Sequence, residues 1–282
     1  MRNLCVSEAL SHRGGEVNED AFGASGAFAW VIDGATSFTD KRYAPGASDA
    51  HWYAQELSAA FARSAHEDLS PQALLTRGIS ETAALLEELT GTKPPRHEEP
   101  HGAVVLVRGD DSGIHYAILG DSALISPQFA GGTAQMICDP AVEAVDASFA
   151  ARITELRQQG ISDWAKIKED VVEMIRVLHL TINTPAGIQV AGLDPAIAEN
   201  AVTGCVPWPD GGVVLLATDG LLRLVDPFKV YDPGELLTES ALGLGPLIKR
   251  LRAIENADPD AAMYPRLKQY DDATGLVLMA SA

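Results

Sequence analysis

Short hydrophobic runs bounded by Gly, Asp or Pro recur along the whole chain, a pattern typical of β-strands. They are rich in Val, Ile and Leu, and most are four to eight residues long. The runs predict strands at 28–32, 103–108, 114–119, 134–138, 212–217 and 274–279.

Longer segments between these runs carry hydrophobic residues at helical spacing. One helix is predicted from Ala47 to His66, and a second begins with Ser70 as N-cap and Pro71 in its first turn. Two more are predicted, from about Asp163 and over 234–254, the last weakened by internal Gly and Pro. Because helices and strands come in blocks and do not alternate strictly, an α+β fold is favoured over a doubly wound parallel sheet.

The clearest loop covers residues 90–102 and contains two adjacent prolines. The predicted strands on both sides of it need partners, so we interpret it as a connection within one domain. The sequence shows no fixed-period repeat. We therefore predict a single domain over residues 1–282.

Composition and charge narrow the class of protein. The chain has 282 residues, of which 46% are hydrophobic, and its formal net charge is −18. So negative a surface repels phosphate backbones and anionic lipids, which argues against a nucleic-acid or membrane-surface partner. Three widely spaced cysteines (Cys5, Cys138 and Cys205) and a start without a long apolar leader favour a cytoplasmic protein with reduced thiols.

Aspartates stand at the ends of several predicted strands: Asp33, Asp121, Asp219 and the pair Asp271–Asp272. One Asp-Gly step is an ordinary turn signal, but repeated strand-end aspartates could converge on one rim. Two such charges about 4 Å apart repel by about 4 kcal/mol at an effective dielectric constant of about 20. Convergence therefore requires bound cations or retained protons, and an all-oxygen donor set suits Mg²⁺ or Mn²⁺ better than structural zinc.

Five short motifs follow one another over residues 18–277: Asn18-Glu19-Asp20-Ala21, Val31-Ile32-Asp33-Gly34, Gly120-Asp121-Ser122, Thr218-Asp219-Gly220 and Asp271-Asp272-Ala273-Thr274. In order and spacing they resemble the type 2C metal-dependent protein serine/threonine phosphatases, in a divergent, bacterial-like form. The resemblance implies an α+β fold with two antiparallel β-sheets packed as a central sandwich and helices on both sides. It also implies a variable flap at about 143–200, beside a cleft.

The resemblance implies a set of metal-site residues: Glu19, Asp20, Asp33, Gly34, Asp121, Asp219 and Asp272. Asp33 would bridge two Mn²⁺ or Mg²⁺ ions, with Asp219 and Asp272 on one of them. Glu19 would act on the other ion through water, supported by Asp20, and Gly34 would offer its carbonyl. The implied activity is hydrolysis of phosphoserine or phosphothreonine by metal-activated water, with a phosphorylated protein as substrate.

The chain departs from the family pattern at three positions. Where the family usually has a phosphate-binding arginine, this chain has Gly15, so Arg13 is the candidate replacement, with an exposed loop arginine as the alternative. Ala35 stands where some relatives have a proposed general-acid histidine. Arg223 replaces an acid used for a third ion, so we predict two ions, with the third weak or absent.

Two arginines are further candidates for substrate binding. Arg223 could pair with Asp121 or hold substrate phosphate. Arg176, in the flap, could face substrate or lie on a helix surface. With Arg13, these are the predicted substrate-binding residues, and Arg13, Asp33 and Asp219 are the predicted catalytic ones.

Three functions stay open at this point. The leading hypothesis is a metal-dependent phosphoprotein phosphatase. The second is a catalytically weak scaffold that keeps the fold and binds phosphorylated partners. The third is a two-metal phosphoesterase acting on a small metabolite.

Overall fold

The computed structural model describes residues 4–35, 41–127 and 134–280, and its centre is a pair of antiparallel five-stranded β-sheets. The first sheet has the order β1 (Leu4–His12), β10 (Ala273–Ala280), β9 (Val213–Ala217), β6 (Ala123–Ser126) and β7 (Gln135–Ile137). The second has the order β2 (Asp20–Ser25), β3 (Phe28–Ala35), β4 (His101–Asp110), β5 (Gly113–Leu119) and β8 (Val202–Val206).

The two sheets pack face to face through apolar side chains. Val31 and Val105 of the second sheet share one buried cluster with Leu124, Leu216 and Leu276 of the first. Most residues of β3 and β4 are buried on both faces, because helices cover the outer side of their sheet. This is why both strands are continuous hydrophobic runs in the sequence.

Helices cover the outer face of each sheet. The second sheet is covered by α1 (Asp49–Ser64) and α2 (Pro71–Thr90), which share a core with Trp30 and Leu106. The first sheet is covered by α6 (Pro233–Leu242) and α7 (Leu244–Ala257). The predicted α+β sandwich with helices on both sides is confirmed.

The predicted flap segment is largely helical. It contains α3 (Pro140–Gln158) and α4 (Trp164–Thr181), which pack through a separate small core, and a 3-10 turn at Pro195–Asn200. A single helical turn, α5 (Asp219–Leu222), follows β9.

The helix predicted over 234–254 is two helices, α6 and α7, which meet at Gly243. Gly243 has a φ of 146°, a value that only glycine adopts readily, and this ends α6. Strands β1, β2, β6 and β8 were not predicted. In β1 and β8 most residues are partly or fully exposed, so neither strand reads as a hydrophobic run.

Within the described ranges, no helix has the length and apolar character needed to cross a membrane. Cys5 and Cys205 lie in those ranges, and both are free thiols.

Candidate metal centre

The strand-end aspartates meet at one end of the sandwich. Asp20 and Asp33 are direct partners across β2 and β3, and Asp219 follows the end of β9 in the other sheet. The negative charges of Asp219, Asp20 and Asp121 all act on the Asp33 carboxyl. The convergence predicted from sequence is therefore present, although the four residues come from distant parts of the chain.

Asp20 is the most deeply buried of these carboxyl groups, with 3% of the residue exposed. Its Oδ2 accepts hydrogen bonds from the hydroxyls of Thr218, at 2.9 Å, and Thr274, at 2.6 Å. Its Oδ1 is buried and has no hydrogen-bond partner. Burial raises the pKa of Asp20 to about 8, since a buried carboxylate loses its hydration. Asp20 thus presents an unsatisfied oxygen that a proton or a cation would stabilise.

Asp33 and Asp219 are half-buried, and their side chains are close enough to influence each other. Burial, followed by the charge of Asp219, raises the pKa of Asp33 well above its usual value. Burial, followed by the charge of Asp271, also raises the pKa of Asp219. Both carboxyl groups therefore hold a proton more readily than an ordinary aspartate does.

The two aspartates before β10 have different partners. Asp272 is buried, and its two carboxylate oxygens accept backbone N–H groups of Gly14 and Glu19, each at 2.6 Å. Asp271 acts on Asp219 and is bound by Arg223 Nη2, at 2.7 Å, and Lys268 Nζ, at 3.1 Å. The family resemblance implies an ion-binding role for Asp272 and none for Asp271. Successive residues entering a strand point to opposite sides, a signal that only one of the pair faces the cleft.

Two glycines allow the acidic strand ends to approach each other. A Cβ on Gly220 would lie 1.9 Å from the carbonyl oxygen of Asp272, and one on Gly34 would lie 2.6 Å from that of Glu19. Both contacts are with backbone atoms, which cannot be displaced by a side-chain rotation. Glycine is therefore required after both Asp33 and Asp219.

The remaining predicted acids border this cluster. Asp121 is half-buried and follows Gly120, which has a φ of 82°. Glu19 is half-buried, precedes β2, and accepts a hydrogen bond from the Ser48 hydroxyl through Oε1. The structure thus brings every predicted acidic residue to the same end of the molecule.

The three predicted arginines lie in different environments. Arg13 is exposed and donates to the carbonyl of Glu16, within the loop that Asp272 holds. Arg176 is exposed on α4, where its Nη1 lies 2.8 Å from Glu173. Arg223 is buried, and its ion pairs are with Glu255, at 3.0 Å, and Asp271, at 2.7 Å.

Two histidines, one on β4 and one on α4, connect the flap to the sheet end. His101 opens β4, pairs with Ala35 across the ladder, and is buried. Its ring centroid lies 5.5 Å from that of His179 on α4, at an interplanar angle of 66°. Burial lowers the pKa of His101 to about 4, so it is a neutral packing group at neutral pH. A lone histidine beside a proline-rich loop gives no sequence signal of this contact.

The chemistry of the donors fits a hard divalent cation. They are all oxygens, and the buried Asp20 Oδ1 has no partner. Within the part of the chain described, however, no three His, Cys, Asp or Glu side chains are arranged as a ready-made ligand group. Asp271 and Asp272 are bound to other partners, so an ion that binds here must compete with those partners for the carboxylate oxygens.

Comparison with solved structures identifies the fold. The chain is similar to the Mycobacterium tuberculosis serine/threonine phosphatase PstP/Ppp, with 17% identity over 99% of this chain and 100% of that one, and a TM-score of 0.57. It is also similar to PppA of Pseudomonas aeruginosa, a regulatory component of its T6SS, with 16% identity over 98% and 99% and a TM-score of 0.55. A third similar structure is the PPM Ser-Thr phosphatase MsPP of Mycobacterium smegmatis, with 16% identity over 98% and 99% and a TM-score of 0.53.

No protein-family model matches the chain, and no curated protein matches it either. The likeness to solved structures therefore shows the fold alone. At that level the resemblance to the type 2C phosphatases is confirmed, across essentially the full length of the chain.

Proposed function

We propose that this chain is a divalent-cation-dependent phosphatase that hydrolyses phosphoserine or phosphothreonine in proteins. The observation that carries the proposal is the meeting of Asp20, Asp33, Asp121 and Asp219 at one end of the sandwich. Such a cluster of buried and half-buried carboxyl groups is unfavourable without compensating charge, and a fold used only for binding has no need of it. The shared fold is consistent with this function. One similar structure, the catalytic domain of PstP, is a complex with manganese ions.

We assign one ion position to Asp33 and a second to Asp219 and Asp271, where Asp271 takes the place that the family resemblance gives to Asp272. The carbonyl of Gly34, and Glu19 through water, are further candidate contacts, and Asp20 and Asp121 support the site electrostatically. A divalent cation held there would supply Lewis acidity toward water and toward the phosphoryl oxygens.

The other residues bind and orient the substrate. Arg13 is exposed at the cleft loop, and its planar guanidinium suits two phosphoryl oxygens. Asp272 fixes this loop through the backbone of Gly14 and Glu19. Asp272 is therefore a positioning residue in this proposal, and Arg176 is a more distant candidate contact on the flap.

The proposal is tested with an aryl phosphate and a phosphothreonine peptide, each in Mn²⁺, in Mg²⁺ and in chelator. We expect turnover of both substrates with metal and none with chelator. Asp33→Asn and Asp219→Asn should each lower kcat by at least about 100-fold, because each removes a charged ligand. Glu88→Gln removes one exposed charge from α2 and should leave kcat unchanged.

The same assay separates the alternatives. The binding of Asp271 by Arg223 and Lys268 favours the catalytically weak scaffold as the second candidate, because these cations compensate part of the acidic cluster. Absence of metal-dependent turnover on either substrate would contradict an enzymatic role and support the scaffold. Turnover of the aryl phosphate alone would contradict the protein-substrate assignment and leave the small-metabolite phosphoesterase.

A further inference from the structure

Lys268 lies in the loop before β10 and reaches the acidic cleft. Its Nζ is 3.1 Å from Asp271 Oδ1. Asp219 and Asp33 are also close enough for their charges to act on this ammonium group. Nothing in the local sequence indicates that a lysine three residues before Asp271 turns back toward it, so no role is predicted for Lys268.

A second cation binds the other oxygen of Asp271. Arg223 Nη2 lies 2.7 Å from Asp271 Oδ2, and Arg223 Nη1 lies 3.0 Å from Glu255. Glu255 is fully buried and also binds Arg252 Nη1, at 2.6 Å. Both carboxylate oxygens of Asp271 are thus bound by positively charged side chains, and these contacts fix the position of Asp271.

The two positively charged side chains differ in how freely they can move. The side chain of Arg223 is 9% exposed, whereas that of Lys268 is 67% exposed. Arg223 is held by a buried carboxylate, so it is a permanent part of the site. Lys268 has a flexible side chain with only its tip bound, so it can leave Asp271 without disturbing the core.

We propose that Lys268 acts as a tethered cation on the Asp219–Asp271 side of the cleft, and that it prevents a second divalent ion from binding tightly there. The wild-type chain would then retain one ion tightly, through Asp33. This inference rests on the proposed function, because it takes the cleft as an ion site, and it revises the expectation of two ions. The reason is that an ammonium and a divalent cation need the same carboxylate oxygens and repel each other.

The test is isothermal titration of metal-free protein with Mn²⁺, which reads ion number and affinity without any activity. We compare the wild type with Lys268→Met, which removes the charge, and Lys268→Arg, which keeps it. Lys249→Met is the matched control, because Lys249 is exposed on α7 and the substitution changes the net charge equally. Circular dichroism checks that each variant is folded, and Lys268→Gln is the replacement if Lys268→Met is not.

We expect one tight ion in the wild type, Lys268→Arg and Lys249→Met. In Lys268→Met a second ion should bind at least about fivefold more tightly than any second ion in the wild type. If the affinity for a second ion rose by less than about fivefold in Lys268→Met, or rose equally in Lys249→Met, the inference would be overturned and the proposed function would still stand. If neither the wild type nor Lys268→Met bound Mn²⁺, both proposals would be wrong.

Discussion

The two sides of the acidic cleft compensate similar charges in opposite ways. Asp20 is held by the neutral hydroxyls of Thr218 and Thr274, and one of its oxygens has no partner. Asp271 is bound on both oxygens by cationic side chains. The Asp20 side therefore needs a proton or an added ion, whereas the Asp271 side carries its positive charge within the chain. A cluster of acids alone does not show how many ions a site takes, because neighbouring cations already satisfy part of it.

Removing the buried cation of the Asp271 side should have the largest effect on stability. We expect Arg223→Met to lower the free energy of unfolding by about 3–5 kcal/mol, because Glu255 and Asp271 lose a partner in a buried environment. The measurement is unfolding in denaturant. Arg63→Met is the matched control, since the Arg63–Glu81 pair is largely exposed and should contribute only about 0–1 kcal/mol. Equal losses in both variants would contradict the structural role given to Arg223.

The buried carboxyl group of Asp20 should make the stability of the folded protein depend on pH. The folded-state pKa of Asp20 is raised to about 8 from an ordinary 3.8, so the folded state binds the proton more tightly than the unfolded chain. Stability of the metal-free protein should therefore fall as pH rises, by about 2–3 kcal/mol from about pH 5 to about pH 7. Unfolding experiments in chelator at several pH values measure this change in the free energy of unfolding.

The accompanying variant is Asp20→Asn, which removes the titrating group and should flatten this dependence. Added Mn²⁺ should also reduce the fall, because an ion replaces the proton as compensating charge. A metal-free stability that rises over the same pH range would contradict the role of the buried carboxyl groups.

The smallest of these effects concerns the hydroxyls around Asp20. Thr218 is fully buried, donates to Asp20 Oδ2 and accepts the backbone N–H of Thr274. We expect Thr218→Val to lower the free energy of unfolding by about 1–2 kcal/mol. Thr154→Val removes an exposed hydroxyl on α3 that bonds only within its helix, and should change stability little. If both variants were equally stable, the Thr218 hydroxyl would contribute nothing to holding Asp20.

The sequence predicted much of this architecture because its signals are local. Buried strands such as β3 and β4 are continuous hydrophobic runs, and Ser70 is indeed the N-cap of α2, accepting from the N–H of Ala73. Asp33 and Asp219 were found because each stands after such a run. Strand β1 was missed because its partly exposed residues form no hydrophobic run, and its place is set by pairing with β10.

The ion pairs and residue roles within the site were less predictable, because they depend on contacts between residues that are distant in the sequence. The pairing of Arg223 with Asp271 spans 48 residues, and no local pattern indicates it. The same holds for the different roles of the neighbouring residues Asp271 and Asp272. The substrate-binding roles of Arg13, Arg176 and Arg223 stay predictions, and the ion pairs of Arg223 in the structure are with Glu255 and Asp271 and not with Asp121.

Asp272 fixes the loop through Gly14 and Glu19, which lie 258 and 253 positions before it in the chain. Strand β10 follows directly and lies between β1 and β9 in the first sheet. During synthesis, the early segment that carries Arg13 and Glu19 thus leaves the ribosome long before the aspartate that fixes it. A nascent chain has no assembled cleft until the segment that carries Asp272 and β10 has emerged, so the proposed activity would arise only after that segment has been made.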